Sequence, residues 1–212
     1  VRLGSELAIA EMIRGGTTCF NDMYFFPGVT AQTVKESGIR AMLGIITINF
    51  PTPWAENGEE YLLKGLSERE KYQSCSTIHW SLAPHAPYTV ADELFKQVNR
   101  LSKEHRNLKI HLHLHETAGE TEQSLTDYGL RPISRIEKLG LLDERLVAIH
   151  MTQLTKDEID LIAKRGCSIA HCPESNMKLA SGFAPIKQLM DSGVNVALGT
   201  DSAASNNDLD MF

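Results

Sequence analysis

Seven short apolar or β-branched runs alternate with capped, amphipathic segments along the whole chain, and nearly every run closes on a polar residue. The runs are TTCFNDM (17–23), RAMLGIITI (40–48), TIHWSLAPH (77–85), LKIHLHLHE (108–116), LVAIH (146–150), CSIAH (167–171) and NVALGTD (195–201). Each reads as a strand. The segments between them carry helix punctuation. Residues 5–14 stop at Gly15-Gly16, and residues 31–37 stop at Gly38. Thr89 and Asp92 have the spacing of a capping box for a helix reaching about His105. RPISRIEKLG places Pro132 in a first turn. Thr155 and Glu158 form another box, and Gly166 ends that helix. APIKQLMDSG carries its own stop. Strand–helix units of ~25–35 residues imply parallel strands joined by right-handed crossovers.

Such a chain folds either as an open doubly wound sheet or as a closed (β/α)8 barrel. The open sheet commonly announces a nucleotide through GxGxxG or a Walker loop, and neither occurs. A barrel gathers its chemistry at the C-terminal ends of many strands, whereas an open sheet uses two or three near a switch point. Here the polar ends are Asp22, His85, His113 to Glu116, His150, His171 and Asp201. Six such ends converge only if the sheet rolls up. The expected fold is therefore a TIM-type α/β barrel, one domain over 1–212. Its 212 residues fall short of the roughly 250 of a full barrel. The chain opens on a helix and shows seven strands, so it reads as a barrel lacking its first strand and final helix, with strands 2 to 8 present.

Composition narrows the function classes. A formal charge of −6 with scattered lysines and arginines argues against a nucleic-acid surface. No apolar stretch reaches the ~18 residues of a membrane span. VRLGSELAIAEMIRGG is interrupted by Glu6, Glu11 and Arg14 and is not a signal peptide. Cys19, Cys75, Cys167 and Cys172 form no CxxC pair, which excludes a zinc finger and suits a reducing, cytoplasmic compartment. A homo-oligomer is compatible with the sequence, which does not specify one.

HLHLHE (111–116) carries the chemistry. As a strand it sets His111, His113 and His115 on one face and Leu112 and Leu114 on the other. His113, His150 and Asp201 each end their own strand. Imidazole and carboxylate together suit zinc or another first-row divalent ion. Any one of them alone reads as a hydrogen-bonded residue of a barrel mouth; together, with Glu116 three places after His113, they read as a metal site. His111, one layer deeper, reads as a packed, hydrogen-bonded core histidine, and His115 as a loop residue past the strand end. His171 reads as mouth-lining or structural. His171-Cys172-Pro173-Glu174 lacks the second cysteine and spacing of the cytidine-deaminase type of zinc site. Ser202 and Ser205 occupy no GxSxG elbow. SNMKLASG is expected to loop over the mouth, with Asn176 and Lys178 unassigned. Asp22 reads as a structural inner-barrel residue, and Tyr24-Phe25-Phe26 as packing.

HLHLHE, LVAIH, HCPESNMKLASG and LGTDSAASNNDLDMF, with GTTCFNDMYF and APHAPYT, together resemble the amidohydrolase superfamily. The match is to the branch of 5-methylthioadenosine/S-adenosylhomocysteine deaminases and the related triazine chlorohydrolases. It covers nearly the whole chain, and SNMKLASG…APIKQLMDSGVNVALGTDSAASNN is its most specific part. The resemblance implies a metal-dependent hydrolytic deaminase of a small 6-aminopurine nucleoside; a triazine or guanine-type hydrolase is the alternative. It implies one divalent ion, zinc first, with iron or manganese compatible. His113 would bind the metal. Asp201 would bind it too and take a proton from the bound water. His150 would steady the developing oxyanion, Glu116 would protonate the ring nitrogen, and His85 with Glu116 would contact the substrate. The family's first-strand H-x-H pair, which supplies two further ligands, has no counterpart near the start. His111-x-His113 lies on the fourth recognised strand and cannot replace it. The chain is thus expected to be a piece of such an enzyme; the other reading is a non-catalytic barrel remnant.

Overall fold

In the computed structural model, residues 1–105 and 108–211 are described; Arg106, Asn107 and Phe212, the last residue of LGTDSAASNNDLDMF, lie outside the described residues. The strands are β1 (Cys19–Asp22), β2 (Arg40–Thr47), β3 (Ile78–Pro84), β4 (Ile110–Leu114), β5 (Leu146–His150), β6 (Ser168–His171) and β7 (Asn195–Leu198). All pair in parallel, and they lie side by side in chain order. A doubly wound sheet reverses its order at a switch point. This one never reverses, so its crossovers cover one face and leave the other turned inward. The result is an incomplete (β/α)8 barrel with β1 and β7 at its edges.

The helices are α1 (Arg2–Arg14), α2 (Pro27–Ser37), α3 (Gly58–Lys71), α4 (Asp92–Glu104), α5 (Ala118–Tyr128), α6 (Pro132–Lys138), α7 (Lys156–Arg165), α8 (Pro173–Lys178) and α9 (Ile186–Asp191). Leu43, Ile45, Leu82, Ile110, Leu112, Leu114, Leu146 and Ile169 share the covered face of the sheet and are fully buried. They form one core with Phe95 and Val98 of α4, Ile133 and Ile136 of α6, and Ile159 and Ile162 of α7. Each such side chain contributes about 1.5–3 kcal/mol of transfer free energy. α3 lies close on β2 because Gly65 has no side chain: a Cβ there would come within 2.2 Å of Ile45 Cγ2.

Sequence punctuation succeeds unevenly. The Thr155–Glu158 capping box forms as expected, and Gly166 ends α7 at φ 71°. The Thr89–Asp92 box does not. α4 starts after Ala91, and the Thr89 hydroxyl turns instead to His85. α5 buries Glu120, Thr121 and Ser124 in place of an apolar stripe, α3 buries Tyr61 and Leu62 beside Gly58 and Gly65, and the sequence assigns neither helix. Part of SNMKLASG, expected as loop, is the short helix α8.

Candidate active site

β4 delivers two imidazoles to the inner face. Leu112 and Leu114 are fixed in the core, so period-2 alternation sends His111 and His113 the other way. His113 Nδ1 lies 2.9 Å from the backbone carbonyl of His85. A carbonyl only accepts, so Nδ1 carries the proton and Nε2 keeps its lone pair. Burial holds the His113 imidazole below its ordinary pKa, against the opposing pull of the His85 carbonyl and of Asp201. The His113 ring stacks on His150 with centroids 5.4 Å apart and meets His85 edge-on at 5.1 Å.

Left-handed backbone turns the strand ends toward one another. His115, His150 and Asp201 have φ of 53°, 76° and 60°, a region costly for residues with a Cβ. Glu116 leaves the strand's alternation and sets Oε1 3.8 Å from His150 Nε2. The Asn176 amide nitrogen donates to His150 Nδ1 at 3.0 Å, which leaves the neutral ring's proton on Nε2, toward Glu116. Burial and the neighbouring His113 push His150 down to about 4. His85 is likewise pushed to about 4 by burial and His113; its Nδ1 lies 2.9 Å from the Thr89 hydroxyl.

The two carboxyls are shifted in opposite directions. Burial, then the charge of Asp201, raises the pKa of Glu116. Burial also acts to raise Asp201, but hydrogen bonds from Ser175 (2.6 Å) and Ser205 (2.9 Å) to its Oδ2, with His150 and His113 nearby, leave it below its ordinary value.

Five predicted residues, His85, His113, Glu116, His150 and Asp201, therefore meet at one end of the sheet. Other expectations need correction. His115 is not a plain loop residue. It is fully buried, and its Nε2 accepts the Ile133 N–H at 3.1 Å, with Glu158 Oε1 3.6 Å away. His111 is packed, as expected, but its Nδ1 has no partner among the described residues. Lys178 binds the Asn206 carbonyl at 3.1 Å, a tie within the loops. Asp22 is half-buried, and burial pushes its carboxyl to about 6. His171 is half-buried near His150. Cys172 is buried and pushed up to about 12, unsuited to be a nucleophile. Phe25 packs on a small cluster of Ile46, Ile48, Ala55 and Tyr61.

Ser175, Ser205, Thr89 and Glu120 are contributors given no site role from sequence, and Asn176, left unassigned there, holds His150. Local spacing marks two of them: Thr117-x-x-Glu120 has the form of a helix start, and Thr89 belongs to the Thr89-x-x-Asp92 spacing that the fold puts to another use.

The donor chemistry suits a divalent ion. His113 offers a free Nε2 whose tautomer is set by a backbone carbonyl, the arrangement typical of a ligating histidine. Asp201 is kept ionised with Oδ1 outside its two hydroxyl bonds. The set is partial: among the described residues, no three His, Cys, Asp or Glu side chains close into a complete metal-holding group.

Fold and site together define a hydrolase-type barrel whose imidazoles and carboxylates converge at the strand ends. The whole chain, residues 1–212, matches the Amidohydrolase family, and the chain belongs to it. It is 46% identical over 209 residues to a 5-methylthioadenosine/S-adenosylhomocysteine deaminase of Saccharophagus degradans, covering 99% of this chain and 47% of that protein. A protein of the same name from Teredinibacter turnerae is 48% identical over 212 residues, covering 100% and 48%. The crystal structure of an adenosine deaminase from Xanthomonas campestris with bound zinc superposes with a TM-score of 0.96 at 51% identity, covering 98% and 47%. The chain spans about half the length of the curated relatives it matches.

Proposed function

We propose that this chain carries the larger part of the active site of a metal-dependent aminohydrolase that releases ammonia from a 6-aminopurine nucleoside. The class is that of 5'-methylthioadenosine, S-adenosylhomocysteine and adenosine. One observation carries the reading: at one strand-end site Glu116 faces His150 at 3.8 Å while Asp201 is held by the Ser175 and Ser205 hydroxyls, and the two carboxyls are shifted in opposite directions, the pattern of an acid and a base. Glu116, its pKa raised by burial, would give a proton to the ring nitrogen as charge builds there. Asp201, ionised, takes a proton and passes it to the departing amine. His85 meets the heterocycle, and His150, with Nε2–H toward Glu116, donates to the developing oxyanion. His113 and Asp201 would hold a divalent ion, zinc first. When bound, such an ion lowers the pKa of water and so supplies a nucleophile at neutral pH. Relatives named as deaminases and a zinc-bound neighbour support the substrate class and the metal. A cytoplasmic location belongs to the same reading: the four cysteines are free, and no helix among the described residues is long and apolar enough to cross a membrane.

The test is ammonia release by the protein supplied with zinc or manganese, using methylthioadenosine, adenosylhomocysteine, adenosine, guanine and a chlorotriazine side by side. The expected result is turnover of the first three, with Glu116→Gln slower by about 10²–10⁴-fold, the usual reach of one general acid–base group. Ammonia from guanine alone would overturn the substrate class.

A further inference from the structure

Glu120 is the third residue of α5, the place where a capping-box glutamate normally turns back to its N-cap. Half of that box is present: the Thr117 hydroxyl accepts the Glu120 N–H at 3.1 Å. The other half is displaced. The Glu120 carboxylate reaches past Thr117 to the two preceding residues. Its Oε1 accepts the His115 N–H at 3.0 Å, and its Oε2 accepts the Glu116 N–H at 2.7 Å. The Glu116 carbonyl is held as well, by the Thr152 hydroxyl at 2.7 Å. Both backbone groups of Glu116 are thus gripped by side chains from other segments. This occurs where His115 adopts a φ of 53° and the chain swings off the strand.

Glu120 is 6% exposed, so its carboxylate is withdrawn from water at a cost. A shorter or neutral cap would serve the helix alone. Among common side chains, a carboxylate offers two acceptor oxygens at a spacing that suits two successive N–H groups. We propose that Glu120 is a positioning residue: by clamping the amides of His115 and Glu116, it fixes the direction in which the Glu116 side chain leaves the backbone. Its consequence for catalysis rests on the role given to Glu116 above. The clamp itself does not.

Amide hydrogen exchange on the full chain tests it, with Leu112 and Ile169 as core references. At pH 8, where the Glu120 carboxyl is ionised, the amides of His115 and Glu116 are expected to exchange about 10–100-fold faster in Glu120→Ala, the range for losing a hydrogen bond to a charged acceptor. Leu112 and Ile169 keep their rates. Glu120→Gln retains the length but only one oxygen, so it frees one of the two amides and keeps the other. In the metal-supplied protein, Glu120→Gln is expected to lower kcat by about 10–100-fold, with KM within about twofold. Unchanged exchange at both amides in Glu120→Ala overturns the clamp. Equal acceleration at Leu112 in Glu120→Gln also overturns it, marking general support for the fold. An unchanged kcat beside a freed amide overturns the positioning role. If the unaltered protein turns over no substrate, the function proposed above fails, and the exchange pattern still decides the clamp.

Discussion

The centre of the sheet and its two edges are built differently. In β4 and β5 the helix-facing side chains Ile110, Leu112, Leu114 and Leu146 are fully buried. In β7, Leu198 is 61% exposed, and in β1, Cys19 and Asn21 are exposed. The candidate site draws on both regions and secures each differently. At the centre, backbone groups share the holding with side chains: the His85 carbonyl fixes His113 and the amide of Ile133 fixes His115, while the Asn176 amide meets His150 and the Thr89 hydroxyl meets His85. At the β7 edge, side chains do it, as Ser175 and Ser205 tether Asp201. A packed strand aims its residues through its own ladder. An edge strand has no such backing, and its functional carboxylate has to be tied to a neighbouring helix.

That contrast makes the largest predicted effect a central one. Leu112→Ala should lower unfolding stability by about 4 kcal/mol, in the upper part of the range for fully buried leucines. Arg135→Ala should follow at about 3 kcal/mol, for a different reason. The Arg135 guanidinium is buried; it binds Asp92 at 2.8 Å and the Val90 carbonyl at 3.0 Å, and it lies 3.7 Å over the Tyr128 ring. It pins α6 to the segment that carries Thr89 and so His85. Its removal leaves buried carbonyls without a donor. Urea titration checks both. A loss under about 1 kcal/mol in either would place the centre on the footing of the edges.

The same contrast explains what the sequence discloses. Central strands are legible because their apolar alternation answers to a real two-sided environment. The site residues His113, Glu116, His150 and Asp201 are legible because each falls at a run's end. α5 is not, because it buries Glu120, Thr121 and Ser124 rather than an apolar stripe. His115 is misread because alternation cannot announce a left-handed turn that folds a side chain back into the core. Ser175 and Ser205 have no local signature: Ser175 meets a carboxylate 26 residues away, and only the packed fold brings them together.

Acid should open the centre before it troubles the edges. His111 is pushed down to about 3, by burial first and then by His113, and His115 to about 4, mainly by burial. His85 and His150 are also near 4. Each folded pKa lies below the ordinary value of about 6.5. Their stabilisation is therefore complete above 6.5 and is lost as pH falls through that window toward 4. Each histidine contributes up to about 1.4 kcal/mol per pH unit. Glu120 works in the opposite sense: burial raises it to about 7, so its share is complete below 4.5 and lost as pH rises through 7. Four histidines, with His113 and His171 lowered as well, against Glu120, Asp22 at about 6 and Glu116 still predict a net fall between pH 6.5 and 4.5. Urea midpoints that stay flat across that interval would mean these imidazoles are solvated, and the centre would lose its distinction.

The smallest effect belongs to the edge. Leu198→Ser should change stability by no more than about 0.5 kcal/mol, because a side chain this exposed has little transfer free energy to lose. β7 nevertheless pairs with β6 along four residues, so the strand's place in the sheet rests on ladder hydrogen bonds and on Val196 rather than on Leu198. Chemical denaturation of Leu198→Ser beside Leu112→Ala makes the comparison within one sheet. If Leu198→Ser cost as much as the central substitution, β7 would be covered in solution by something that packs on Leu198. Asp201 would then be held by a buried strand and would not depend on the hydroxyls of Ser175 and Ser205.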